Sequence, residues 1–451
     1  MISKTFCILP WIHFSTRPNG HMRVCCAANA SGAGPINSEM LGGEIGLVKE
    51  EDGLPSNLAN NDFSESWNNL YMRSIRLKML NGEIPDSCIK CFKEEGSGYQ
   101  SKRNWETAFW AKYIDIPELI SNTKEDGSIP PKLYYLDLRL GNKCNLKCIM
   151  CSPHDSSMWI PDWRIIYPKI KNKNLKEVFN WKDEGLIHGG SYSWYKDNPK
   201  FWEQLYEQIP HIKQLYFAGG EATIIEAHYT FLEEVVKRGY ASNIIVRYNS
   251  NGLVIPDRLF KIWDNFKYVR FNFSLDSVGE MNDYIRWPPN WDKAVANLHK
   301  LDNTKDNINV AFACAIQALN VYYLPELIKW KLKQNFKKIN VMPLGAGLVN
   351  THLVYLPVFL NIKILPEWFK IKIRDKYEEF YKWLIKYHNN DEEFISNPYG
   401  IKRLKGLIKF MFSEDWSARM PEFREYINLV DEVRGTNFRE TFPEIKELLD
   451  E

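Results

Sequence analysis

Cys144-Asn145-Leu146-Lys147-Cys148-Ile149-Met150-Cys151 sets three cysteines in a C-x3-C-x2-C spacing. Thiolates this close in sequence can converge on one metal centre. A structural zinc site takes four ligands, and so does a cubane iron–sulfur cluster held wholly by protein. Three cysteines on one loop leave one iron of a [4Fe–4S] cluster open to another ligand. The same spacing also fits three of four zinc ligands, or three unrelated core cysteines. Just upstream, Tyr134-Tyr135-Leu136-Asp137-Leu138-Arg139-Leu140 alternates like a strand, and Gly141-Asn142 ends it. A ligand loop past the carboxyl end of a first barrel strand lies where a β/α barrel carries its chemistry.

Downstream the rhythm repeats. Short β runs near 133–140, 213–218, 243–249, 268–275, 308–316 and 337–342 are separated by helical patterns near 226–239, 256–264, 291–302 and 322–334. Alternating strands and helices predict an α/β fold with a parallel sheet and right-handed crossovers. A Trp-rich insertion (Trp159, Trp163, Trp181, Trp194, Trp202) precedes the second strand. It either lines a pocket or forms a satellite core.

The cysteine loop resembles that of the radical S-adenosylmethionine (radical SAM) superfamily, and three further stretches carry the resemblance. Tyr216-Phe217-Ala218-Gly219-Gly220-Glu221 ends the second strand and matches the Gly-Gly-Glu motif. Tyr248-Asn249-Ser250-Asn251-Gly252 matches a strand-ending Asn-Gly turn, which for Gly252 also reads as an ordinary turn. Phe273-Ser274-Leu275-Asp276-Ser277, followed by Arg286, resembles the fourth-strand stretch. The resemblance implies a partial (β/α)6 barrel with Cys144, Cys148 and Cys151 holding a [4Fe–4S] cluster. Its open iron would chelate S-adenosylmethionine (SAM), and reductive cleavage would give a 5′-deoxyadenosyl radical. SAM would be bound by Gly219, Gly220, Glu221, Asn249, Ser274, Asp276 and Arg286, Glu221 orienting its amino group and Arg286 reaching its carboxylate. Arg286 also reads as one partner of a surface ion pair. Met150 stands where the family carries an aromatic residue near adenine; its thioether can still pack on a ring.

A second cysteine set lies upstream. Phe6-Cys7-Ile8-Leu9-Pro10-Trp11-Ile12-His13-Phe14 and Met22-Arg23-Val24-Cys25-Cys26 flank Pro18-Asn19-Gly20 and predict a hairpin of two β runs. A helix is expected over Ser66 to Asn81, then Cys88-Ile89-Lys90-Cys91. Cys7, Cys25, Cys88 and Cys91 make a four-thiolate set with Cys26 as a spare. The layout resembles twitch/SPASM auxiliary modules and implies a second [4Fe–4S] cluster, although such modules usually follow the barrel. A four-cysteine zinc site has the same spacing. His13 and His21 read as polar surface residues.

Composition bounds the rest. The chain has 451 residues, 45% hydrophobic and 25% charged, and a net charge of +2. Two or three domains are expected, with no electrostatic case for nucleic acid or an anionic membrane. Nine cysteines without an export signal point to a cytoplasmic protein using thiols for metal or redox chemistry. Cys314, in an apolar strand, reads as a core residue. The chain divides into an auxiliary-cluster domain (1–130), the barrel (131–345) and a mostly helical region (346–451), in which 365–388 forms an amphipathic helix. The expected activity is hydrogen abstraction from a substrate C–H bond, completed as a two-electron oxidation through the auxiliary cluster. An aminocyclitol, sugar, other small metabolite or ribosomal peptide would be the substrate, and a flavodoxin or ferredoxin the reductant. The competing reading is a non-catalytic zinc or Fe–S protein using both cysteine sets as staples.

Overall fold

The computed structural model describes residues 2–28, 46–96, 101–178, 191–339, 348–388 and 399–450. Among these, eight strands form one sheet in the order β2-β1-β3-β4-β5-β6-β7-β8. They are β1 (His13–Thr16), β2 (Met22–Arg23), β3 (Tyr135–Leu138), β4 (Gln214–Phe217), β5 (Ile245–Ser250), β6 (Tyr268–Ser274), β7 (Ile308–Ile316) and β8 (Asn350–Leu353). All neighbours are parallel except β1 and β2. Between successive strands from β3 to β8 run the helices Pro199–Gln208, Glu226–Lys237, Asp257–Trp263, Trp291–Asp302 and Leu324–Lys333. The chain is thus an α/β protein built on a partial (β/α)6 barrel.

Two strand expectations move. The sixth strand lies at Asn350–Leu353, not at 337–342, of which 340–342 fall outside the described residues. The Asp302 carboxylate explains the shift, since it accepts from the backbone N–H of Lys337, Lys338 and Ile339 at 2.7–3.0 Å. Those donors are then lost to a ladder. In the N-terminal run, Leu9–Ile12 is a helical turn, with Pro10 at its start supplying a preset φ. Only His13–Thr16 extends, and it pairs antiparallel with Met22–Arg23 and parallel with Tyr135–Asp137. Gly20, at φ +86°, closes the turn between them.

The helix expected over Ser66 to Asn81 is two helices, Phe63–Trp67 and Leu70–Leu80. Asn69 caps the second by accepting from the Met72 N–H, which breaks the run. Glu367–Tyr387 is the long amphipathic helix, burying Phe369, Ile373, Tyr377, Phe380 and Leu384. Trp159, Trp163 and Trp194 are core residues, whereas Trp181 lies outside the described residues. Cys314 is fully buried, as its apolar context predicts. No helix among the described residues is long and apolar enough to cross a membrane.

His228 lies wholly inside the layer between sheet and helices, where it hydrogen-bonds Tyr248 Oη at 2.9 Å. Burial pushes its pKa down to about 3. The unfolded chain therefore takes up a proton below about pH 6.5 that the folded chain refuses. Stability should be full above that pH and fall by about 1.4 kcal/mol per unit below it from this residue. Urea unfolding midpoints between pH 4 and 7 check this: the acid slope should be shallower in His228→Gln.

Candidate functional site

The carboxyl ends of β3 to β6 meet around the three-cysteine loop, and neighbouring backbone holds that loop. Glu221 N–H donates to Lys143 O at 2.8 Å and Gly220 N–H to Asp155 O at 3.2 Å. Gly220 sits at φ +54°, and a Cβ there would stand 2.5 Å from Lys143 O. No other residue type permits this approach without moving the loop. From the far side, Lys147 and Ile149 donate to Trp287 O and Ile285 O, each at 2.8 Å.

Arg286 reaches into the loop, with Nη1 3.7 Å from Cys148 Sγ and Nε 2.9 Å from Asp276 Oδ2. The latter contact is an ion pair without hydrogen-bond alignment, since neither atom has a hydrogen-bond partner. Arg286 is thus a buried charge facing a thiol and a carboxylate, which corrects the surface-pair reading. The Cys151 thiol, and after it the Arg286 guanidinium, hold the Cys148 thiol below its usual range. Burial and the Cys148 charge push Cys144 up to about 12.

Asp276 is fully buried, its Oδ1 accepting from Ala315 N–H at 2.7 Å. Burial lifts its carboxyl pKa against the pull of Arg286. The Glu221 carboxylate accepts four hydrogen bonds, from Thr223 N–H (3.2 Å), Thr223 Oγ1 (2.8 Å), Ser250 Oγ (2.8 Å) and Asn251 N–H (2.8 Å). It ties the end of β4 to the end of β5. Asn249 Oδ1 accepts from Asn272 Nδ2 at 2.9 Å on the sheet's interior face. Ser274 ends β6 beside Ala313, and Met150 is half-buried against the core.

The N-terminal set also comes together. Cys7, Cys25, Cys88 and Cys91 line one cavity, with Pro10, Met79, Lys102 and Arg103 also in its wall. Among the described residues no three His, Cys, Asp or Glu side chains stand close enough to hold a single ion. Burial raises all four thiol pKa values, with neighbouring thiols adding to Cys7 and Cys25, and Cys88 reaches about 11. A cationic centre is what makes four thiolates tolerable there. Cys26 is not in that wall. His13 and His21 are buried, contrary to expectation, His13 stacking on Tyr135 with ring centroids 4.2 Å apart.

Residues 138–317 match the family model described as the radical SAM superfamily. The chain carries a radical SAM domain. Such a domain implies a [4Fe–4S] cluster and SAM, and the cysteine loop and Gly-Gly-Glu turn lie within the matched span. No curated protein matches the chain. Among solved structures, Streptococcus suis SuiB bound to precursor peptide SuiA is similar at 14% identity, with 62% of this chain and 57% of that chain covered and a TM-score of 0.27. SuiB bound to S-adenosylmethionine is similar at 12% identity, over 63% and 58% of the two chains, with a TM-score of 0.27. A third SuiB structure gives 12% identity, 76% and 68%, and a TM-score of 0.30. The chain covers less than two thirds of the first two SuiB chains.

The three-cysteine loop has partners that motif reading misses. The helix Met420–Arg434 presents Tyr426, whose Oη donates to Ile149 O at 2.6 Å, and Arg434, whose Nη2 donates to Lys147 O at 2.7 Å. Arg434 also lies 4.4 Å from the Trp159 ring, and Trp159 Nε1 donates to Cys148 O at 2.9 Å. The only signal in the sequence is that Tyr426 and Arg434 share one helical face.

Glu221→Ala would leave its four donors without an acceptor in a buried space. The expected loss is on the order of 3 kcal/mol of folding stability. Denaturant unfolding of the variant against wild type measures it.

Proposed function

We propose that this chain is a cytoplasmic radical SAM enzyme with an auxiliary [4Fe–4S] cluster in its N-terminal part, catalysing a net two-electron oxidation of a C–H site. The observation that carries this reading is the gathering of two separate cysteine sets, one on a loop at the carboxyl ends of barrel strands and one around a single cavity. Residues 1–130 would carry the auxiliary cluster and the barrel would run from 131 through β8 at Asn350–Leu353, past the boundary at 345 that the sequence suggested, leaving the remainder as a helical cover. Cys144, Cys148 and Cys151 would hold the SAM cluster. Cys7, Cys25, Cys88 and Cys91 would hold the second, Cys25 being preferred to Cys26 because it alone of the two lines the cavity.

Met150, Gly219, Gly220, Glu221, Asn249, Ser274, Asp276 and Arg286 would form the SAM site. Loaded with a cluster and SAM and reduced by a flavodoxin or ferredoxin, this site would supply the chemistry of reductive SAM cleavage. The protein's part is to bind, orient and exclude water. Gly219 and Gly220 allow backbone to approach a ligand. Arg286 offers a guanidinium to a carboxylate, its charge held in place by Asp276. Glu221, with its oxygens already engaged, acts through the shape it gives the strand ends. A net two-electron oxidation would need a proton and a second electron to leave the substrate after the hydrogen atom, and Cys7, Cys25, Cys88 and Cys91 would hold the group able to accept that electron. The substrate is a small molecule or a peptide.

Anaerobically reconstituted protein should carry about eight irons per chain, two cubanes' worth. Replacing Cys144, Cys148 and Cys151 by Ala should leave about four, and so should Cys88→Ala with Cys91→Ala. Stoichiometric zinc with negligible iron would overturn the assignment. With dithionite, the wild type should also form 5′-deoxyadenosine and methionine from SAM without substrate. Chromatography of the products checks this, and no 5′-deoxyadenosine from iron-replete protein would count against the enzyme.

A further inference from the structure

Arg247 and Arg270 are direct neighbours on β5 and β6. Residues so paired lie about 4.8 Å apart across the sheet, and like charges placed opposite one another repel. Alternation fixes the face they occupy. Val246 and Tyr248 are buried on the helix side, where Tyr248 Oη bonds His228 and Trp263, so Arg247 points into the barrel with Asn249. The Nε atoms of both arginines are buried without a hydrogen-bond partner. Among the described residues, neither guanidinium has a carboxylate at ion-pair distance. The groups acting on Arg270 are Arg247, Tyr268 and Arg403, none of them a carboxylate, and burial with the repulsion of the two arginines draws its pKa down to about 10.

The surroundings make this a built site. Arg247 lies 5.6 Å from the Trp105 ring and 5.9 Å from the Tyr216 ring, two flat faces that orient its plane. Arg403, held by Thr351 Oγ1 and O at 2.8 and 2.6 Å, adds a third guanidinium. His352, exposed on β8, faces the same cations, and Arg403, Arg270, Arg247 and Lys90 draw its pKa down. One layer nearer the strand ends, Asn249, Asn272 and Asn350 form a hydrogen-bonded row at 2.9 and 3.2 Å.

We propose that Arg247 and Arg270 bind an anionic group of the substrate, a carboxylate or a phosphate ester. Paired guanidinium forks match the oxygens of either group. The ligand's charge offsets a repulsion that the protein alone leaves standing. Three residues separate Arg247 from the end of β5, about 10 Å along the strand. The anion would then sit about that far from the strand ends assigned to SAM, and the row of asparagines would face the part of the substrate in between. The site disfavours an unmodified aminocyclitol, whose ammonium groups would meet like charge. This inference rests on the reading of the strand ends as the SAM site.

The test is calorimetry on reconstituted protein with SAM bound, using inorganic phosphate and succinate as probes at low ionic strength. Wild type should bind at least one saturably, and the tighter of the two identifies the anion. Arg247→Gln and Arg270→Gln should each weaken binding roughly tenfold or more. Both should also raise the thermal unfolding midpoint, because a repulsion is removed; a merely structural pair would lower it. Arg258→Gln, a surface arginine paired with Glu226 and Glu233, should bind as wild type does. Should a Gln variant fail to fold, Arg270→Lys keeps the charge but loses the fork and should still weaken binding. No saturable binding by wild type, or wild-type affinity in the folded Arg270 variant, overturns the proposal. SAM cleavage by wild type without substrate is read separately, so loss of the anion site leaves the radical SAM reading standing.

Discussion

Every strand end near the site is positioned by one requirement: a loop carrying three thiols must keep its shape without being part of any regular element. The loop meets this through its carbonyls. Lys143 O is taken by the Glu221 N–H, Leu146 O by Ser156, Lys147 O by Arg434, Cys148 O by Trp159 and Ile149 O by Tyr426. Buried backbone groups need partners, and here they come from the β4 turn, the segment after the loop and the C-terminal helix. The final helical region is therefore part of the support of the site as well as a cover on the barrel.

Much of this was legible in the sequence, and the failures have physical causes. Strands β3 to β7 announced themselves by alternation, and the Gly219-Gly220-Glu221 turn by two glycines that had to be there. β8 was not legible where expected, because the Asp302 carboxylate takes the N–H groups that a ladder would need. The turn Leu9–Ile12 was hidden inside an apolar run that suits strand and helix equally. The Tyr426 contact spans 277 positions, and nothing local marks it.

The interior face of the sheet departs from the usual pattern. Strands of a parallel sheet covered on both sides usually read as unbroken apolar runs. Here β5 and β6 alternate, with Arg247 and Asn249 beside Arg270 and Asn272. Such alternation ordinarily marks a solvent face. In a curved sheet it marks polar groups turned inward, where desolvation is costly unless something is bound. The charge of a whole chain, +2 here, carries no trace of that local excess.

The pairing of β1 with β3 joins positions 122 apart, His13 Nδ1 meeting Tyr135 O. Chain order gives this a consequence during synthesis. As the polypeptide leaves the ribosome, its first hairpin has no edge to dock on until β3 emerges. Cys7, Cys25, Cys88 and Cys91 have all emerged by then. The complete four-thiol set thus exists in the nascent chain before the sheet that will fix its place. Closing of that set around any group it takes and completion of the barrel edge are therefore separable events in biogenesis, and the first can precede the second.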